Sequence, residues 1–293
     1  MNKYWELTKA LPNEANHEAV SEFLLSLKVA NRSRTTIILY RGFLERFFSD
    51  IKVDFTEISS EVILEWFQRI NGKVKETSLR FYLSVLASFY NFCIQEEYLK
   101  RTPIKRRWFP RLPQPIPKYL EREEIAKTRQ QSEKESLRNQ ALLEFMLTSG
   151  CRISEVHRLN REDVDLENRT VKVVGKGKKI REVHFSEKCA ILLERYITAT
   201  PQNAQALFVT STGKRLAIRT MNTIITEIGE GAGLGKGLHP HRLRHTFATE
   251  LMAKGAELSF ISEEMGHSSL STTQIYVRLP KREIIALYRK YMG

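Results

Sequence analysis

The chain has 293 residues, enough for about two domains, with 42% hydrophobic residues and 47 Lys and Arg against 34 Asp and Glu, a net charge of +13. No apolar run of about 18 residues marks a membrane span, and Met1-Asn2-Lys3-Tyr4-Trp5 lacks the apolar core of an export signal, so a cytoplasmic location is expected. Three widely spaced cysteines, Cys93, Cys151 and Cys189, exclude a disulfide framework or a cysteine-rich zinc site and read as small core residues.

Residues from about 14 to 99 read as helical. Ala19, Phe23 and Leu27 fall at helical spacing, and Ser33 or Thr35 caps a helix carrying Leu39, Phe43, Leu44 and Phe47. Phe67, Ile70, Leu79, Leu83, Leu86, Phe89 and Tyr90 continue the apolar pattern, most simply as core. Arg34, Arg41 and Arg80 lie among these residues. A solvated face is the ordinary reading of such charges, but their excess of one sign suits phosphate contact.

Residues 101–118 carry five prolines and cannot form a regular helix. With Lys105, Arg106 and Arg107 the segment reads as a stiff, extended, cationic linker, either a plain spacer or a track for a nucleic-acid backbone. The chain thus divides into a helical domain over 1–100, a linker over 101–118 and a second domain over 119–293. The second domain opens with a helix start at Glu121 to Ile125 and a strongly apolar helix ending at Gly150. A short helix with Ile153, Val156 and Leu159 follows. Strands are expected at Val164 to Leu166, at Val171 and Val173, and at Val183 and Phe185. Gly175-Lys176-Gly177-Lys178-Lys179 reads as a hairpin tip. From Glu187 onward the pattern is mainly helical, so the fold class is mainly α with a small antiparallel β-sheet, α+β.

The chemistry concentrates near the end. Pro240 suits a first helical turn, Leu243, Phe247 and Leu251 give that helix a buried stripe, and Gly255 can end it. His241 and Arg244, three apart, share a face at the positive end of the helix dipole, already suited to anions. Leu258 to Met265 forms another helix, stopped by Gly266 and followed by His267. Ser271 can cap a short helix containing Tyr276. A phenol, with an ordinary pKa of about 10, is a sluggish nucleophile, but a cationic pocket that grips a phosphate can make it an attacker. Zinc is the rival for His239, His241 and His245. However, a His-Glu-x-x-His motif needs a glutamate after its first histidine, whereas Arg242 and Arg244 occupy the intervening positions, and guanidinium groups repel a cation. No metal and no cofactor are expected.

Gly150-Cys151-Arg152-Ile153-Ser154-Glu155, the Lys176 turn, His241-Arg242-Leu243-Arg244, Gly266-His267 and Tyr276, in this order, resemble the tyrosine recombinase (phage integrase) family. The likeness is to its short Xer-like and transposon-borne members, and it implies a helical core-binding, SAM-like domain ahead of the catalytic domain. It further implies that Tyr276 attacks a DNA phosphate to form a 3′-phosphotyrosyl link. Arg152 and Arg244 would grip the nonbridging oxygens. His241 would take the phenolic proton or hydrogen-bond the phosphate. Lys176 would protonate the leaving 5′-oxygen, with Lys178 beside it on the DNA, and His267 would support the phosphate. Glu155 would orient the arginines. The implied partner is double-stranded DNA with specific core sites, held by a homotetramer whose C-terminal helix packs in trans. The need for accessory proteins stays open, and no membrane is involved. A type IB topoisomerase-like enzyme and a noncatalytic DNA-binding protein are the alternatives. Integration, excision, transposition and resolution are equally compatible outcomes.

Overall fold

The computed structural model describes residues 3–110, 117–175, 180–201 and 203–266. They belong to two compact units, residues 1–113 and 114–293.

The first unit holds four helices, α1 (Glu14–Val29), α2 (Arg34–Asp50), α3 (Ser60–Ile70) and α4 (Glu76–Gln95). Asn13, Ser33 and Ser59 cap the first three by accepting backbone N–H groups of Asn16, Thr36 and Val62. Their apolar stripes meet in an aromatic core of Phe23, Phe43, Phe47, Phe48, Trp66 and Phe89, all buried. Asn16 is fully buried among them. Its amide donates to the Val53 carbonyl and accepts from Phe55 N–H, which satisfies the loop between α2 and α3. Leu39, expected in the buried stripe of α2, is 52% exposed. It lies two residues from fully buried Ile37, about 200° around the helix, and so faces outward.

The first half of the expected linker is not an extended spacer. Arg106–Trp108 form a turn of 3₁₀ helix, Ile104 is buried, and Trp108 and Phe109 pack on the α1–α4 core. Ser60 Oγ donates to the Pro103 carbonyl at 2.7 Å. Proline forbids a regular helix there, but three apolar side chains between the cations still gain by burial.

The second unit runs α5 (Arg122–Ser132), α6 (Leu137–Ser149), α7 (Ile153–Arg158), β1 (Val164–Asp165), β2 (Thr170–Val174), β3 (Ile180–His184), α8 (Glu187–Thr198), α9 (Ile218–Gly231), α10 (Pro240–Ala253) and α11 (Leu258–Met265). The strands form one antiparallel sheet in the order β1-β2-β3, so the α+β expectation holds. Val171 pairs with Val183 and Val173 with Arg181. Phe185, expected within the third strand, lies one residue beyond β3 and is buried, its N–H bonding to the Arg169 carbonyl at 3.0 Å. The middle of α6, Ala141 to Leu147, is buried on every side, which is why six of its seven residues are apolar. It packs against α8 and α10 and forms the centre of the unit.

Candidate active site

Two helix ends define the site. α6 stops at Gly150, with φ +61°, and α11 stops at Gly266, with φ +59°. Both are left-handed caps that favour glycine. A Cβ on Gly150 would lie 2.3 Å from the Phe247 ring, so the close approach of α10 also requires glycine there. The chain leaves Gly150 directly into Cys151 and Arg152, the N-cap of α7. On the other side, His239 caps α10 by accepting the Arg242 N–H, and Pro240 opens its first turn.

Arg244, on the second turn of α10, is 5% exposed. Its guanidinium donates to the carbonyls of Gly150 and Met265, the ends of α6 and α11. Arg152 donates from Nη2 to the next carbonyl, Gly266, at 3.3 Å, and from Nη1 to Glu155 Oε1 at 2.8 Å. Helix C-termini carry partial negative charge, so the sites that gather these two cations are already favourable to them. Arg152 keeps 32% of its side chain exposed. A buried guanidinium beside a partly open one, both held by backbone carbonyls, forms a preorganised clamp for an anion.

Glu155 lies behind Arg152 and is only 3% exposed. Arg181 of β3 holds it with both prongs, Nη1 to Oε1 at 3.0 Å and Nη2 to Oε2 at 3.1 Å. Burial pushes the Glu155 carboxyl up. The Arg181 hydrogen bonds, the Arg152 backbone N–H and the two guanidinium charges outweigh this and hold it below the usual carboxylate range. Glu155 therefore stays ionised. Glu264 of α11, 5% exposed, accepts from the backbone N–H of His184 at 3.2 Å and contacts its Nδ1 at 2.8 Å. Thus β3 is tied to the end of α11.

His241 is exposed on the first turn of α10. Arg242, between His241 and Arg244 in sequence but not on their face, is 2% exposed. It bonds both oxygens of Glu124 at 2.8 Å and the Tyr119 and Lys236 carbonyls. Burial pushes Cys151 up to about 11, so its thiol is neutral at ordinary pH, and all three cysteines are buried and free, as a core reading requires. Among the described residues no three His, Cys, Asp or Glu side chains are grouped to hold a metal ion. Lys176, Lys178, His267 and Tyr276 lie outside the described residues.

In the first unit Arg34, Arg80, Arg106 and Arg107 are exposed, and Lys105 is half-exposed. Arg41 is only partly exposed and has a role in the fold. Its Nη1 donates to the Tyr4 and Glu6 carbonyls at 3.2 and 3.0 Å, fastening the N-terminal segment to α2, because those carbonyls have no helix to satisfy them. Arg181, Glu264 and the Arg242–Glu124 pair were not singled out in the sequence. Only Arg181 left a signal, since β2 and β3 alternate and it occupies the inward parity shared with Val183.

The phage integrase family profile matches residues 118–283, and the phage integrase N-terminal SAM-like domain matches residues 20–97. The tyrosine recombinase XerC of Thermodesulfovibrio yellowstonii is 32% identical over 286 residues, 92% of this chain and 95% of that protein. The tyrosine recombinase XerD of Staphylococcus epidermidis is 32% identical over 287 residues, 93% of this chain and 97% of that protein. Among solved structures, the XerH site-specific recombinase bound to a palindromic difH substrate, a post-cleavage complex, superposes with a TM-score of 0.77. It has 21% identity and covers 99% of this chain and 92% of its own.

Proposed function

The chain belongs to the phage integrase family and is a site-specific tyrosine recombinase acting on DNA, and from this premise we propose that Tyr276 is its nucleophile and that Arg152, Glu155, Lys176, His241, Arg244 and His267 make up its active site. The phenolic oxygen of Tyr276 attacks the scissile phosphorus, and the bond to the 5′-oxygen breaks. The phenolic proton passes to His241, or His241 hydrogen-bonds the phosphate instead. Lys176 supplies a proton to the leaving 5′-oxygen. Arg152 and Arg244 meet the charge that grows on the nonbridging oxygens, and His267 steadies the phosphate. The product is a 3′-phosphotyrosyl link, whose bond energy is conserved. A 5′-hydroxyl from a second duplex reverses the step and completes exchange, with no nucleotide cofactor consumed.

The observation that supports this reading most is the convergence of Arg152 and Arg244 on the end of α11, at the carbonyls of Gly266 and Met265, just before His267 in the chain. Arginines held by neutral carbonyls, rather than by carboxylates alone, retain charge for an incoming phosphate. Fixed guanidinium charge here takes the place a metal ion fills in other phosphoryl-transfer sites. DNA phosphate contacts beyond the scissile position are assigned to Arg34, Arg80, Lys105, Arg106, Arg107 and Lys178.

The test requires the chain's own site, located by footprinting on DNA flanking its gene. On a nicked duplex carrying that site, Tyr276→Phe is expected to bind with unchanged affinity and to form no SDS-resistant adduct. An adduct in the mutant would remove Tyr276 as nucleophile.

A further inference from the structure

Glu155 presents an electrostatic problem that the active-site residues alone do not solve. A carboxylate this buried is costly unless paired. If Arg152 were its sole partner, the two would form a neutral pair, and Arg152 would offer a phosphate little net charge. Arg181 changes that balance. Its side chain is 11% exposed, against 32% for Arg152, so the pair divides into an inner and an outer guanidinium. The inner one takes both Glu155 oxygens, and the outer one shares only Oε1 through its side chain. Two positive charges on one negative charge leave a net +1 for the side-chain triad, displayed at its open edge.

Arg181 also reaches the second helix end. Its Nε donates to the Glu264 carbonyl at 3.2 Å, and the next two carbonyls, Met265 and Gly266, accept from Arg244 and Arg152. A Cβ on Gly266 would lie 2.7 Å from Arg181 Cζ, so the guanidinium lies directly against this glycine. One largely buried side chain on β3 therefore contacts the support of both cations of the clamp.

We propose that Arg181 is a positioning residue for strand cleavage: by neutralising Glu155 and bracing the end of α11, it aims the Arg152 guanidinium and frees its charge for the scissile phosphate. This rests on the assignment of Arg152 to the active site. Arg181 touches neither DNA nor the nucleophile in this role. Its effect passes through Arg152, and a small misplacement of a preorganised group costs up to about 100-fold in rate.

The experiment is a double-mutant cycle on the full chain. It measures single-turnover adduct formation on the nicked duplex, affinity by gel shift and unfolding by thermal melting. Arg181→Ala is expected to slow adduct formation about 10- to 100-fold while affinity stays within about threefold. Arg181→Lys, which keeps the charge and loses the fork, should recover part of the rate. In an Arg152→Ala background either substitution should cost no more than about twofold further, because the group through which it acts is gone. If Arg181→Ala does not fold, the lysine variant carries the cycle alone. A wild-type rate for a folded Arg181 variant, or a full additional loss in the Arg152→Ala background, overturns the proposal. A wild-type rate for Arg152→Ala alone instead removes Arg152 from the active site, and the Arg181 role with it.

Discussion

His245 illustrates how a single side chain in the site-bearing helix couples pH to stability. It lies on α10 next to Arg244, and burial, then the charges of His241, Arg244 and His239, lower it from 6.5 to about 4. Between those values the unfolded chain binds a proton that the folded chain refuses. Its contribution to stability is therefore complete above about 6.5 and is lost as pH falls toward about 4. His245→Gln is expected to flatten this part of the stability profile, read as urea midpoints at several pH values. An unchanged slope between pH 6.5 and 4 would mean that other groups carry it. Glu155 acts in the same direction at lower pH. Its folded value is depressed, so its stabilising contribution is present above the ordinary carboxylate range and disappears on acidification through the folded value.

At the scale of elements, α10 does two jobs with arginines two residues apart. Arg244 turns to the ends of α6 and α11, while Arg242 turns the other way to Glu124 of α5 and the Tyr119 carbonyl. Around a helix two residues differ by about 200°, so the two guanidinium groups leave on opposite sides. Arg242 also neighbours Thr246, whose Oγ accepts the Leu120 N–H at 2.8 Å, and together they fasten the segment entering α5. Arg242→Ala is expected to destabilise the chain by about 3 kcal/mol, the lower end of the range for breaking a buried pair, because Glu124 keeps access to water. Chemical denaturation measures this loss. A change below about 0.5 kcal/mol, the scale of ordinary surface substitutions, would show that the clamp is dispensable.

On the scale of the whole molecule, a net charge of +13 makes DNA affinity dependent on salt. The logarithm of the binding constant should fall linearly with the logarithm of salt concentration, by about 0.9 per phosphate neutralised. Replacing exposed Arg106 and Arg107 together by alanine should reduce that slope by about 2. Fluorescence anisotropy across a salt series reads it, and an unaltered slope would free both residues from phosphate contact. Assembly is the other expectation at this scale. We propose a homotetramer on two DNA sites, linked by residues 281–293, whose sequence reads as an amphipathic helix and which the family resemblance implies packs on a neighbouring protomer. Deleting them should abolish cooperative binding to paired sites while single-site affinity persists. Retained cooperativity would count against a role in trans.

The sequence by itself determined the helical periodicities, the glycines that stop α6 and α11, the inward valines of β2 and β3, and the ordered set from Arg152 to Tyr276. Each of these is written in local spacing, because helix and strand periods and left-handed caps depend on near neighbours along the chain. Only the tertiary structure decided which cations are spent on the fold. Arg41 and Arg242 satisfy carbonyls or carboxylates up to 123 residues away, Arg181 underlies Glu155, and Ile104 and Trp108 draw half of a proline-rich spacer onto a core. A buried charge takes its role from the partner that repays its desolvation, and that partner is set by packing between distant segments rather than by adjacent residues.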